Sequence, residues 1–189
     1  FDVSDSSGWD HARPLPYVSA WVKNQALRDR SLYLRPTYGA GRIYADFAYR
    51  RGCAEDRRPE WSRPVADPAL IGKLHVGWNS GLADYSLLGP ARMALYGRLP
   101  LGRLLRFPSC WTPPEARRTR DVSGRFGVSY ARDSVAWQRR EIARLLAGRT
   151  DTGKIGRRAY LAELAAARVV VSPFGLGEIT LKDFETCRA

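Results

Sequence analysis

The sequence predicts an α/β protein, and two observations in its second half carry the prediction. After residue 114 the order of elements reads strand, helix, helix, strand, glycine-containing turn, helix, which is typical of a doubly wound sheet. Residues 168–172 (RVVVS) contain a run of β-branched residues, as in a parallel strand that helices cover on both faces. We therefore expect a parallel sheet whose ligand site lies at the carboxyl ends of its strands.

Short elements separated by turn residues fill the first half of the chain. Residues 1–11 (FDVSDSSGWDH) predict a strand end followed by a polar turn. Apolar residues three and four apart over residues 17–34 favour a helix, or a strand that leads into one. Glycine, proline and charged residues over 39–70 predict loops around one short aromatic segment at 43–49, and residues 73–76 predict a strand.

The second half contains the clearest helices. Residues 125–130 (RFGVSY) predict a strand, and residues 131–147 predict a helix with one apolar face that ends at Gly148. A second helix is predicted over 157–167. The last helix is predicted to begin at about Glu178, directly after the glycine-containing turn.

Charge alone does not name a partner for this chain. The formal net charge is +12, and 27 of the 31 basic residues are arginine. The planar guanidinium group suits phosphate and carboxylate, so an arginine-rich surface favours nucleic acid, nucleotides or lipid headgroups. A general compositional bias explains the same arginine excess equally well.

Several sequence features bear on where the protein works. No apolar run approaches the ~20 residues that a membrane-spanning helix needs, and no secretory signal pattern is present, so we expect a cytoplasmic protein. The three widely spaced cysteines, Cys53, Cys110 and Cys187, predict free thiols. Residues 91–114 combine arginine with leucine and aromatic residues, which leaves open a peripheral contact with the inner face of a membrane, although their prolines favour a connecting segment.

The turn after residues 168–172 is the strongest candidate for a ligand site. Gly175 and Gly177 leave room there for a ligand, next to a helix start that favours an anion. The helix is expected to project Lys182 between Glu178 and Glu185, with both glutamates on one face. Carboxylates can hold the vicinal hydroxyls of a ribose, and the lysine can neutralise a phosphate. An ordinary ion pair between Glu178 and Lys182 accounts for the same residues equally well.

The run RRAYLAELAAARVVVSPFGLGEITLKDFETCRA resembles the donor-binding segment of bacterial glycosyltransferases of the GT-B type and, more loosely, the exostosin-type domain. Three further runs, VSGRFGVSYARDSVAWQRREI, YVSAWVKNQALRDRSLYLRP and KLHVGWNSGLADYS, are similar to uncharacterised members of this group. The resemblance implies parts of two Rossmann-like lobes, incomplete at both ends. Residues 1–114 are then part of the N-terminal, acceptor-side lobe and its linker, and residues 115–189 start the C-terminal lobe that binds a nucleotide sugar.

The resemblance also implies an activity: transfer of a sugar from a nucleoside diphosphate sugar to a glycan, lipid-linked or other hydroxyl acceptor, in surface polysaccharide biosynthesis. Glu185 matches the acid that binds the ribose, Lys182 the basic residue ahead of it, and Ser172 to Gly177 the loop that faces the nucleotide. Helix N-termini and cations stabilise the leaving diphosphate in such a fold, with Lys182, Arg125 and Arg132 as candidates. No obligatory metal or other cofactor is expected.

The remaining candidates concern the acceptor side. Six residues separate Glu178 from Glu185, whereas seven are common in retaining enzymes of this type, so Glu178 is kept as a donor-side candidate without a role in acceptor chemistry. Asp5, Asp10 and His11 are the candidates for the base that activates the acceptor hydroxyl.

Two alternatives remain open beside the transferase. One is a non-catalytic basic module that binds nucleic acid or another polyanion, which the net charge of +12 and six tryptophans support. The other is an inactive, truncated transferase. The sequence contains no recognisable nucleic-acid-binding motif, so the transferase is favoured and no nucleic-acid partner is expected.

Overall fold

The computed structural model describes residues 2, 6–8, 13–77, 98 and 111–188, and within them the chain is a mixed α/β protein. It contains two small sheets, each with two parallel strands, together with α-helices and 3₁₀ helices. The predicted α/β class is confirmed at this level. The predicted catalytic candidates Asp5, Asp10 and His11 lie outside the described residues, as does most of the segment 91–114.

The first sheet pairs β1 (Trp21–Lys23) with β2 (Leu74–Val76) in parallel, so that Val22 lies opposite His75. Asp2 adds a parallel bridge on the other side of β1, where its N–H donates to the carbonyl of Val22. Aromatic and aliphatic side chains form a core beneath this sheet. Its buried members are Leu15, Trp21, Tyr33, Val65 and Leu74.

A buried ion pair fixes Asp2 beside β1. The ammonium of Lys23 lies 2.9 Å from Asp2 Oδ2, and the two side chains are only 1% and 3% exposed. The indole Nε1 of Trp21 donates to the same oxygen at 3.1 Å. Because a charge buried without its partner is costly, this pair specifies which segment lies beside β1.

One α-helix and three 3₁₀ helices make up the rest of the first half. The helix α1 (Ile43–Arg50) buries Tyr44, Ala45, Asp46 and Ala48. The short aromatic segment predicted at 43–49 is therefore α-helical. Residues 17–34 contain β1 and a 3₁₀ helix but no α-helix, because Trp21 and Lys23 alternate into the core with the period of a strand. The 3₁₀ helices span Leu15–Tyr17, Arg30–Leu34 and Pro68–Lys73.

The second sheet pairs β3 (Arg120–Ser123) with β4 (Ala167–Val170) in parallel, with Val122 opposite Val169. The helices α2 (Asp133–Leu146) and α3 (Arg157–Ala166) lie between these strands in the chain, and α4 (Leu181–Arg188) follows them. The predictions of a helix at 131–147, a helix at 157–167 and a strand at 73–76 are confirmed to within two residues at each end.

Three predictions for the second half are wrong in detail. The strand expected at 125–130 is not formed and the strand of this region is β3, because the backbone of the expected segment bonds outside any sheet: the N–H of Phe126 donates to Thr152 O, and Gly127 O accepts from Arg139. β4 is not covered on both faces, since Val169 is 55% exposed. The last helix begins at Leu181 rather than at 178, because the carboxylate of Asp183 accepts the N–H of Thr180 at 2.6 Å and caps the helix there.

The two halves of the chain share a second core. α1 packs against α2, and Tyr38, Tyr44 and Ala45 from the first half contact Val135 from the second. Asp56 makes a further contact between the two halves. Its carboxylate accepts a hydrogen bond from the backbone N–H of Ser134 at 2.8 Å and so caps α2.

Two further sequence expectations can be compared with the described part of the chain. Cys53 and Cys187 are exposed free thiols, as predicted, and Cys110 lies outside the described residues. None of the helices in the described ranges has the length and apolar character needed to cross a membrane.

Replacing Asp2 with alanine is expected to lower the free energy of unfolding by about 3–5 kcal/mol, because the buried ammonium of Lys23 then loses its ion pair with Asp2. Urea denaturation measures the effect. The control is Asp121→Ala, which removes the exposed ion pair with Arg168 and is expected to cost less than about 1 kcal/mol. Equal losses for the two variants contradict the role given to the buried pair.

Candidate functional site

The candidate site is built around residues 173–179, which connect β4 to the start of α4 and are called the 173–179 loop below. Its backbone carbonyls accept hydrogen bonds from three side chains elsewhere in the chain. Arg139 Nε donates to Phe174 O, Arg42 Nε to Leu176 O and the Tyr44 hydroxyl to Gly175 O, each at 2.8 Å. Because Arg42 and Tyr44 belong to the first half and Arg139 to the second, both halves hold the loop.

The 173–179 loop also reaches the first sheet. The Glu178 carboxylate accepts the N–H of Ser7 at 2.8 Å and the hydroxyl of Ser6 at 3.2 Å. The side chain of Gln25, two residues after β1, accepts the N–H of Ile179 at 3.2 Å. The segments that follow β1 of the first sheet and β4 of the second therefore meet at one loop, and such strand ends are where α/β proteins bind ligands.

Arg139, on α2, holds the 173–179 loop against the rest of the second half of the chain. Its guanidinium donates to the carbonyls of Phe174 at 2.8 Å, Gly127 at 3.0 Å and Pro173 at 3.4 Å, and its central carbon lies 4.6 Å from the ring centroid of Tyr130. The side chain is buried, and this burial lowers the pKa of Arg139. Since a guanidinium is a rigid fork with five donors, one residue can fix the ends of both β3 and β4.

Lys182 lies on the first turn of α4 and points back toward β3. Its ammonium donates to the backbone carbonyl of Arg125 and lies 5.7 Å and 5.5 Å from the ring centroids of Phe126 and Tyr160. Burial, assisted by the charge of Arg139, lowers the pKa of Lys182 to about 8. The ion pair between Lys182 and Glu178, which the sequence leaves open as an alternative, is not among the ion pairs of the described residues: Lys182 binds Arg125 O, and Glu178 binds Ser6 and Ser7.

The two predicted arginines are engaged with acids of the protein itself. Arg125 Nη2 lies 2.9 Å from Glu163 Oε2, and this pairing raises the pKa of Arg125. Arg132 Nη2 lies 2.7 Å from Glu60 Oε2. Arg125 thus approaches Lys182 through its backbone, whereas Arg132 ties the start of α2 to the first half of the chain.

The two predicted glutamates do not share a helical face, because α4 starts after Glu178. Glu178 faces Ser6 and Ser7, as described above. Glu185 instead faces α3, where its Oε1 lies 2.8 Å from Arg157 Nη1 and its side chain is 15% exposed. Burial raises the pKa of Tyr160 most, and the negative charge of Glu185 raises it further.

The small residues of the predicted loop have separate roles. Gly175 donates its N–H to Gly177 O at 3.1 Å, and a side chain at Gly175 would lie 3.2 Å from the Thr180 methyl group, so the glycine lets the loop fold back on itself. The hydroxyl of Ser172, at the end of β4, is buried and has no hydrogen-bond partner among the described residues.

No family model, no curated protein and no solved structure matches this chain. The site is therefore interpreted from its own geometry. Within the described ranges, no group of three or more His, Cys, Asp or Glu side chains is arranged to hold a metal ion.

Sequence reasoning missed several residues of this site, among them Arg42, Tyr44, Arg139 and Arg157. Arg139 and Arg157 lie in predicted helices, where they resemble the neighbouring surface arginines 140 and 158. Arg42 and Tyr44 are more than 130 residues from the carbonyls that they bind. Their roles depend on long-range contacts, for which the sequence gives no local signal.

Replacing Arg139 with lysine is expected to lower the free energy of unfolding by about 2 kcal/mol, because a single ammonium leaves at least one of the three carbonyls without its donor. The control is Arg140→Lys, at the exposed neighbouring position, with an expected change within about 0.5 kcal/mol. Urea denaturation distinguishes the two. A stability loss that is the same at both positions contradicts the role of Arg139.

Proposed function

We propose that this chain is part of a GT-B-type glycosyltransferase that moves a sugar from a nucleoside diphosphate sugar to a hydroxyl acceptor in surface polysaccharide biosynthesis. The observation that carries the proposal is the 173–179 loop, where segments that follow the strands of both sheets meet. Such a junction suits a group transfer between two substrates, because it can hold a donor and an acceptor next to each other.

The donor side of the proposed site consists of Lys182 and Glu185 on α4. With a pKa of about 8, Lys182 is largely protonated at neutral pH, and a diphosphate can take the place of the carbonyl of Arg125 as its partner. Its protonated state then stabilises the negative charge of the departing nucleoside diphosphate. Glu185 is the proposed acceptor of hydrogen bonds from the ribose.

The acceptor side of the proposed site is the segment around Ser6 and Ser7. Glu178 binds these two serines, which are close in sequence to the candidates Asp5, Asp10 and His11. We propose one of these three residues as the base. It takes the proton of the acceptor hydroxyl while the acceptor oxygen bonds to the anomeric carbon and the bond from that carbon to the diphosphate breaks.

The burial of several arginines favours a transferase over a polyanion-binding module. Arg42 and Arg139 are buried and bind backbone carbonyls, and Arg125 and Arg132 pair with carboxylates. Part of the arginine excess therefore serves the folded structure rather than a partner. Buried arginines cannot track the phosphates of a nucleic acid, which requires exposed cations.

Isothermal titration with UDP and with GDP tests the proposal. At least one nucleotide is expected to bind. Glu185→Ala is expected to weaken nucleotide binding about tenfold, because hydrogen bonds to a charged group are lost. The control is Glu141→Ala, which removes an exposed acid paired only with Arg144 among the described residues. Binding of neither nucleotide, together with DNA binding that falls steeply with salt, would instead favour the polyanion-binding module.

A further inference from the structure

The 173–179 loop has an inverted pattern of burial. Its proline and its two glycines are buried. Its three large apolar side chains are exposed instead, Phe174 by 39%, Leu176 by 43% and Ile179 by 45%. Because the burial of apolar surface drives folding, a loop ordinarily has the opposite arrangement. Exposed apolar side chains that are grouped in one segment indicate a surface that another apolar surface covers.

The backbone of the loop is satisfied from inside the protein. All five carbonyls of residues 173–177 accept hydrogen bonds: Arg139 donates to the first two, Tyr44 to the third, Arg42 to the fourth and the N–H of Gly175 to the fifth. A loop that faces water does not need these donors, because water satisfies its carbonyls. A loop that enters an apolar environment does need them, since a buried polar group without a partner is costly.

Residues 127–130 extend the exposed apolar surface beside Phe174. Arg139 joins the two segments, because its guanidinium donates to a carbonyl of each and lies 4.6 Å from the ring centroid of Tyr130. The side chains of Val128 and Tyr130 are exposed. Tyrosine is enriched where proteins meet the interface of a bilayer with water, because its ring is apolar and its hydroxyl is polar.

Charge favours an anionic lipid surface as the partner of the loop. Glu178 is the only charged residue of the loop, and its carboxylate binds Ser6 and Ser7 of the protein itself. The formal net charge of the whole chain is +12, which attracts anionic headgroups. An interface with another protein carries about one hydrogen bond per 100–200 Å², whereas the carbonyls of residues 173–177 are already bonded.

We propose that the 173–179 loop docks on the surface of a membrane that contains anionic lipids. Phe174, Leu176 and Ile179 enter the boundary between headgroups and acyl chains, and the positive charge of the protein holds it against the headgroups. This docking surface is distinct from residues 91–114, for which the sequence leaves a membrane contact open.

The inference is independent of the proposed transfer reaction. It concerns the exposed apolar side chains of the loop, whereas the donor candidates Lys182 and Glu185 contact Arg125 O and Arg157. Membrane docking and nucleotide binding are therefore tested by separate measurements.

Co-sedimentation of the 189-residue chain with unilamellar vesicles tests the inference. At low salt, vesicles of phosphatidylcholine with about a third phosphatidylglycerol are expected to bind the chain at least about tenfold more tightly than pure phosphatidylcholine, because their headgroups attract its positive charge. The triple variant Phe174→Ser/Leu176→Ser/Ile179→Ser is expected to bind the anionic vesicles about tenfold more weakly than the wild-type chain, because less apolar area enters the bilayer.

Two control variants remove apolar side chains that are exposed outside the loop. Leu145 is 66% exposed and Tyr17 is 89% exposed, so both are more accessible than any of the three loop residues. Leu145→Ser and Tyr17→Ser are expected to leave vesicle binding within about twofold of the wild-type value, because neither residue belongs to the docking surface.

Thermal unfolding of each variant verifies that it is folded. Phe174 also contacts Tyr44, with the ring centroids 5.3 Å apart, so its replacement removes a contact within the protein. The double variant Leu176→Ser/Ile179→Ser retains this contact, and it carries the test if the triple variant does not fold.

Vesicle binding that requires both the anionic lipid and the three loop side chains supports the inference. It is overturned if the wild-type chain binds neither kind of vesicle, if it binds both equally, or if the serine variants bind as tightly as the wild-type chain. It is also overturned if the wild-type chain binds no vesicles and the variants change its sedimentation coefficient, since a second copy then covers the loop. Loss of thermal stability in the variants, again without vesicle binding by the wild-type chain, overturns it in favour of another part of the same chain.

Discussion

The hydrogen bonds to the carbonyls of the 173–179 loop are the constraint on which the rest of the site depends. A loop of this kind exposes backbone acceptors that must be satisfied wherever they are buried. Here Arg139 supplies donors from one half of the chain, and Arg42 and Tyr44 supply them from the other. The loop therefore has one position relative to both sheets. Because α4 follows the loop directly, this position also determines where the side chains of α4 lie.

The same constraint explains why the candidate residues separate into two groups. Glu178 lies before the cap of α4 and faces the first sheet, whereas Lys182 and Glu185 lie on the helix and face β3 and α3. In the proposed transferase Lys182 and Glu185 face the donor, whereas Glu178, which the sequence suggested as a donor-side candidate, binds the two serines of the proposed acceptor side. Arg125, a phosphate-binding candidate from the sequence, pairs with Glu163 of α3 in this structure.

The local elements could be predicted from sequence to different degrees. α2 and α3 were predictable because their apolar residues follow the helical period and glycine marks an end. The true start of α4 also had a local signal that was missed, since Thr180 and Asp183 have the spacing of a capping box. The buried ion pair of Lys23 and Asp2 had no local sequence signal, because the residues around Lys23 in the sequence do not distinguish a buried lysine from an exposed one. Long-range contacts such as that of Arg139 with Phe174 likewise depend on the completed fold.

The central claim is that nucleotide binding occurs where the 173–179 loop joins the two sheets. Amide hydrogen exchange with and without a saturating concentration of UDP or GDP tests it most directly, because ligand binding suppresses local opening. The account predicts slower exchange in the loop, in the first turns of α4 and at Ser7, whose N–H is held by Glu178. Exchange at the carboxyl end of α2 is expected to stay unchanged. Protection confined to residues outside the loop and α4, or no protection by either nucleotide, contradicts the account.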